Sequence, residues 1–244
     1  MTTVSVLTRP RPVWPSSTRP SRRSAQVTSA LLRLSGVNLA GAFLTMVYLH
    51  SLSVAELSPV STTVSDLIFV EGVGWLFGVS VVLLAVASAA LTVSLARTRL
   101  PGGWLITALL STWSLGLVLA AVFPTDPIGM ETVSSVGEIH RYAGATMYVS
   151  LPLAGWLVYR RSAAEPAWRP YRGAIRGLSL TSAALGILFT LSHAPKLFPG
   201  SSVADLFDGQ LVHGLAERAL ILSLCGLLLA IGMGLSRAGR ARSA

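Results

Sequence analysis

The chain has little of what a soluble protein needs for its surface. Only 12% of its 244 residues are charged, where a soluble domain carries roughly a quarter. Two stretches, 72–96 and 101–123, hold no charged residue at all. Runs of about 20 apolar residues match the thickness of a bilayer core. These runs also lack the polar face that an amphipathic helix in water keeps toward solvent. Cysteine is nearly missing: Cys225 stands alone, which excludes an intramolecular disulfide. Its place inside an apolar run reads as packing. No H-E-x-x-H spacing occurs, so no local metal-binding motif is present.

What is there reads as helix. Apolar stretches fall at about 31–52, 67–95, 103–123, 137–159, 174–194 and 211–235. The fold class expected is therefore all-α, a polytopic bundle of six transmembrane helices, with short connections making neighbours antiparallel. Three regions follow: a disordered basic tail over 1–28, a membrane domain over 29–236, and a short basic tail over 237–244. Ser21-Arg22-Arg23 before an apolar stretch has the outline of a twin-arginine signal. The residues after the pair do not continue it, and a basic anchor is the better reading. Glycines and alanines four apart (Gly74 and Gly78, then Gly226, Ala230 and Gly234) suit close helix contact in lipid.

A net charge of +9 invites a nucleic-acid reading, but its distribution argues for topology. Sixteen of the nineteen basic residues lie before or at the start of span one, between spans two and three, between spans four and five or at the start of span five, or after span six. Glu165 is the only acid among them. The opposite side carries Arg141, Lys196 and Arg218 against nine acids. The positive-inside rule then places both termini in the cytoplasm of a multi-pass plasma-membrane protein, with the lipid bilayer and no nucleic acid as partner.

The acids and histidines gather at the outer ends of the spans. His50 ends span one and His193 ends span five. Spans two, four and six each start with a polar cluster: Asp66 and Glu71; Glu138, His140 and Arg141; His213, Glu217 and Arg218. This looks like three hairpins with similar outer ends. Negative charge is favoured at helix starts, and Ser135 with Glu138 fits a capping box. Asp66 and Asp208 suit the same role for spans two and six. Glu71 and Glu217 are expected deeper than a cap. Arg141 stands three residues after Glu138, so an intrahelical ion pair is allowed. Arg218 needs a partner on another element, as in an interhelical salt bridge. Ionisable groups within spans mark working sites.

Three chemistries could use this layer. Zinc needs three or four convergent ligands. Haem b needs axial histidines on facing helices, such as His50 with His140 or His193 with His213. Acid–base work without metal needs only a histidine beside a carboxylate. No cofactor is favoured. The catalytic set expected is His140, His213, Glu138, Glu217, Asp66, Glu71 and Asp126. Arg141, Arg218, His50 and His193 would bind substrate, with the guanidinium fork suited to an anionic head group.

Four short motifs carry a resemblance: Ser65-Asp66-Leu67, Phe123-Pro124-Thr125-Asp126, Gly137-Glu138-Ile139-His140 and Gly214-Leu215-Ala216-Glu217-Arg218. Together the chain resembles, over residues 31–236, a prokaryotic six-span membrane family known only as a domain of unknown function. The resemblance implies the fold and membrane location, and points to Asp66, Asp126, His140, Glu217 and Arg218. The layout is also similar, in topology alone, to eukaryotic six-span lipid-remodelling and autophagy-modulating proteins. The function expected is a membrane-embedded enzyme or binding protein for an amphipathic anionic lipid or isoprenoid-like molecule. A proton-coupled transporter and a non-catalytic subunit of a membrane complex are the alternatives.

Overall fold

A computed structural model of the chain describes residues 22–98, 100, 103–127, 130, 132–194, 200–207 and 212–243. Among these there is no strand. The helices are α1 (Arg22–Ser53), α2 (Trp75–Ala96), α3 (Gly103–Val122), α4 (Ser135–Arg161), α5 (Arg169–Leu191), α6 (Ser202–Phe207) and α7 (His213–Ser243). Short 3-10 turns occupy Ser65–Phe69, Ser162–Ala164 and Pro166–Trp168.

Five segments are long and apolar enough to cross a membrane: α1, α2, α3, the stretch Pro166–Leu191 and His213–Ala241. The protein is thus a multi-pass membrane protein. Six such segments were expected, and α4 is the one that falls short. At 27 residues it has ample length, but even its uncharged stretch 142–159 is diluted by Tyr142, Gly144, Thr146, Tyr148, Ser150, Pro152, Gly155 and Tyr159. Several boundaries also move. Residues 22–28, read as tail, belong to α1, and residues 237–243 continue α7. Span two starts at Trp75 rather than 67, so Asp66 and Glu71 lie outside the helix they were expected to open. Asp208, Lys196 and the tail before Arg22 lie outside the described residues.

The densest pairings join α1 with α2, α3 with α4 and α5 with α7. The expected three hairpins therefore exist. Neighbouring hairpins touch through α2 with α3 and α4 with α5, and α7 returns to α1, closing a ring. Burial matches this layout. Ile106 and Leu110 of α3 and Leu151 of α4 are each fully buried. Trp113 is buried too, and its indole N–H donates to Ser88 Oγ of α2 at 2.8 Å, because a buried indole needs an acceptor. Small residues permit close contact where the ring is tight. A Cβ at Gly234 would overlap the Trp168 ring, and one at Gly116 would overlap Met147. Gly78, by contrast, faces open space, so its spacing from Gly74 does not mark a contact.

Candidate functional site

One end of the ring holds the ionisable side chains, because His50 ends α1 while α4 and α7 begin there. The residues between α1 and α2 form a strap across this end. Three contacts dock the strap on the first turns of α7. The Leu215 N–H donates to the Val60 carbonyl at 3.1 Å. Arg218 Nη1 donates to the Thr62 carbonyl at 2.6 Å. The Val64 N–H donates to Glu217 Oε2 at 2.6 Å. Gly214 lets the strap come this close: a Cβ there would overlap the Thr62 carbonyl oxygen.

Glu217 is buried, with 6% of its surface exposed. Both its oxygens accept, since the Tyr148 hydroxyl donates to Oε1 at 2.8 Å. A buried carboxylate is tolerable only when hydrogen-bonded in this way. Glu217 therefore ties α7 to α4 and to the strap. Arg218 is equally committed. Besides Thr62, its Nη1 donates to the Gly214 carbonyl of its own helix at 3.0 Å. Its Nε–H donates to His50 Nε2 at 3.0 Å. His50 must then carry its proton on Nδ1, which donates to the Met46 carbonyl at 2.8 Å. The interhelical salt bridge expected of Arg218 is replaced by backbone carbonyls and an imidazole.

Asp66 and Asp126 are local clamps. Asp66 Oδ2 accepts from the Thr63 N–H and hydroxyl, both at 2.7 Å, and so fastens the entry to the 3-10 turn rather than capping span two. Asp126 accepts from the Ser134 hydroxyl and, at 3.2 Å, from the Ser134 N–H. Ser134, not Ser135, is the cap of α4, its hydroxyl accepting from the Gly137 N–H at 3.0 Å. A Cβ at Gly137 would overlap the Asp126 carboxylate, which explains glycine at that position.

The remaining groups line a half-open cavity of about 1760 Å³, in whose wall Glu138 and Arg141 are exposed. His50, Asp66, Asp126, Glu138, His140, Arg141, His193, His213, Glu217 and Arg218 all contribute to its wall. Glu71 does not: it sits exposed in the turn before α2. Below the polar end the wall becomes apolar, with Phe77, Leu84, Trp113, Leu117, Met147 and Ile221. Residues 43, 47, 149, 187 and 222 line the cavity and are exposed, so it is open between helices rather than sealed.

Within the cavity, His140 Nδ1 bonds the Phe123 carbonyl at 2.8 Å. His193 Nδ1 lies 2.9 Å from the Phe189 carbonyl, and the His193 and His213 rings touch, with centroids 5.1 Å apart. That spacing leaves no room for a porphyrin plane between the two rings. Among the described residues no three His, Cys, Asp or Glu side chains converge as metal ligands. Glu138 and Arg141 share the wall, yet the ion pair that their spacing allows is not among those formed by the described residues. No partner of either is found among the described residues.

The catalytic set expected from sequence thus divides. Glu217, Asp66 and Asp126 hold structure, Glu71 is elsewhere, and His140, His213 and Glu138 remain in the cavity wall. Tyr148, which sequence reasoning passed over, is the missing partner of Glu217. Its signal was present: Glu138, Arg141, Ala145 and Tyr148 recur at three- and four-residue intervals and therefore share a face of α4.

Comparison with known proteins adds one finding. The sequence model of a family described as "Protein of unknown function (DUF998)" matches residues 37–234. No curated protein and no solved structure matches the chain.

Proposed function

The chain belongs to this family of unknown function, and from that premise we propose that it binds an amphipathic, phosphate-bearing lipid or isoprenoid-like molecule inside the helical ring. α4 serves as the sixth span. The arginine-rich helix ends lie in the cytoplasm and the polar end faces outward across the plasma membrane, as the charge distribution favours. The head group sits against Arg141, and the chains lie among the apolar walls below.

The observation that carries this reading is the cavity itself. Drug-sized ligands occupy about 300–1,000 Å³, and this space of about 1760 Å³ suits a lipid. It runs from ionisable groups into an apolar interior and is open between helices. Binding is favoured over catalysis because three of the carboxylates expected to react are engaged in structural hydrogen bonds. Arg141 carries the head-group role because it has no side-chain partner among the described residues, whereas Arg218 already donates from Nε and Nη1 to His50, Thr62 and Gly214.

The full-length protein, purified in mild detergent, should retain lipid detectable by native mass spectrometry. Arg141→Ala should reduce that retention while leaving the melting temperature unchanged. Gly144 lines the same wall, and a Cβ there meets no atom within 4 Å. Gly144→Leu should therefore enter the cavity, displace lipid and leave the bundle folded. Wild-type protein that emerges without lipid, or variants that retain it in full, would defeat the reading.

A further inference from the structure

Four carboxylates and two guanidiniums line the cavity: Asp66, Asp126, Glu138 and Glu217, with Arg141 and Arg218. Asp66 is held by Thr63, Asp126 by Ser134, Glu217 by Val64 and Tyr148, and Arg218 by Thr62, Gly214 and His50. Arg218 so engages three of its five N–H donors, and the carboxylate and guanidinium with no side-chain partner at all among the described residues are Glu138 and Arg141. They stand three residues apart on α4, where Cβ atoms lie about 5–6 Å from one another. No ion pair joins them, and no other partner is found for them among the described residues.

We propose that the bound head group is a phosphate ester carrying a primary ammonium, with the phosphate on Arg141 and the ammonium on Glu138. This rests on the amphipathic-ligand reading above and refines it from a net anionic to a zwitterionic head group. A head group with phosphate alone satisfies Arg141 but sets its negative charge beside Glu138. A quaternary ammonium has no N–H to donate to the carboxylate, and its usual host is a cage of several aromatic rings. Tyr142 is the one aromatic residue adjacent in sequence to this pair that lines the cavity. A primary ammonium offers three donors, and its separation from the phosphate in a phosphoethanolamine matches two side chains one helical turn apart.

The test is competitive loading of the full-length protein from mixed micelles holding equal amounts of phosphatidylethanolamine, phosphatidylcholine and phosphatidylglycerol, read by native mass spectrometry. The ethanolamine lipid should exceed each of the others by about tenfold or more, the factor that one charge-assisted hydrogen bond supplies. Glu138→Gln should abolish that preference while total bound lipid stays high. Equal or greater loading of the glycerol or choline lipid, or an unchanged preference in Glu138→Gln, overturns the proposal and leaves the lipid-binding reading intact. Absence of every lipid class from folded wild-type protein overturns both. Phosphoethanolamine without acyl chains should bind far more weakly than the lipid; equal affinity would overturn the lipid as its source.

Discussion

Glu217→Ala should cost the folded bundle about 3 kcal/mol or more. The substitution strips the acceptor from two donors at once, the Val64 N–H and the Tyr148 hydroxyl. Hydrogen bonds to a charged group contribute about 1.5–3 kcal/mol each, and buried donors left without acceptors lose their desolvation energy as well. For a chain of this size the melting temperature should fall on the order of 10 °C. Tyr148→Phe removes one of the two bonds and should cost less. Combining it with Glu217→Ala should add little further, because the two act through one contact. Thermal unfolding of the detergent-solubilised variants checks this. A melting temperature equal to wild type in Glu217→Ala would mean that the carboxylate is free to do chemistry rather than hold the fold.

Gly214→Val should be comparably damaging, by a different route. A side chain at 214 needs space that the Thr62 carbonyl already occupies, with the Val60 carbonyl next to it. Backbone atoms cannot swing aside as a flexible side chain can, so the strap itself must lift. Lifting it breaks the bonds that Leu215 and Arg218 make to Val60 and Thr62. Overpacking of this kind costs about 1–3 kcal/mol. Hydrogen exchange should rise over residues 58–66 and stay low in α2 and α3. Gly144→Ala supplies the contrast. Its Cβ enters open space and relieves a glycine inside a helix, worth about 0.5–1 kcal/mol of added stability. One glycine replacement should thus destabilise and the other stabilise. Protection of the strap unchanged in Gly214→Val would show that it is not clamped as described.

Much of the fold is legible in the residue order. Uncharged runs such as 101–123 leave no choice but burial in lipid as helix, because backbone groups there must bond within their own segment. The start of α4 is legible too, within one residue: Ser134 provides the cap although the S-x-x-E spacing pointed to Ser135, because the residue three after Ser134 is Gly137 and its N–H alone makes the bond. The gathering of ionisable groups at one end follows from where charge is tolerated along a span. Helical spacing places Glu138 and Arg141 on one face, and His213 with Glu217 on another.

What each of those groups does could be decided only by the folded chain. Asp66 and Glu71 look alike in sequence, yet one is bonded to Thr63 in the cavity wall and the other is exposed outside it. Glu217 and Arg218 stand side by side with the signature of a reactive pair. Their partners are the N–H of Val64 and the carbonyl of Thr62, 153 and 156 positions away. Peptide groups carry no side-chain identity, so no pattern of residues announces where a distant loop will present them. Residue order set the helices, their polar end and the inventory of charges. Packing of the strap on α7 determined which charges are engaged in holding the structure, and Glu138 and Arg141 on α4 are not among them.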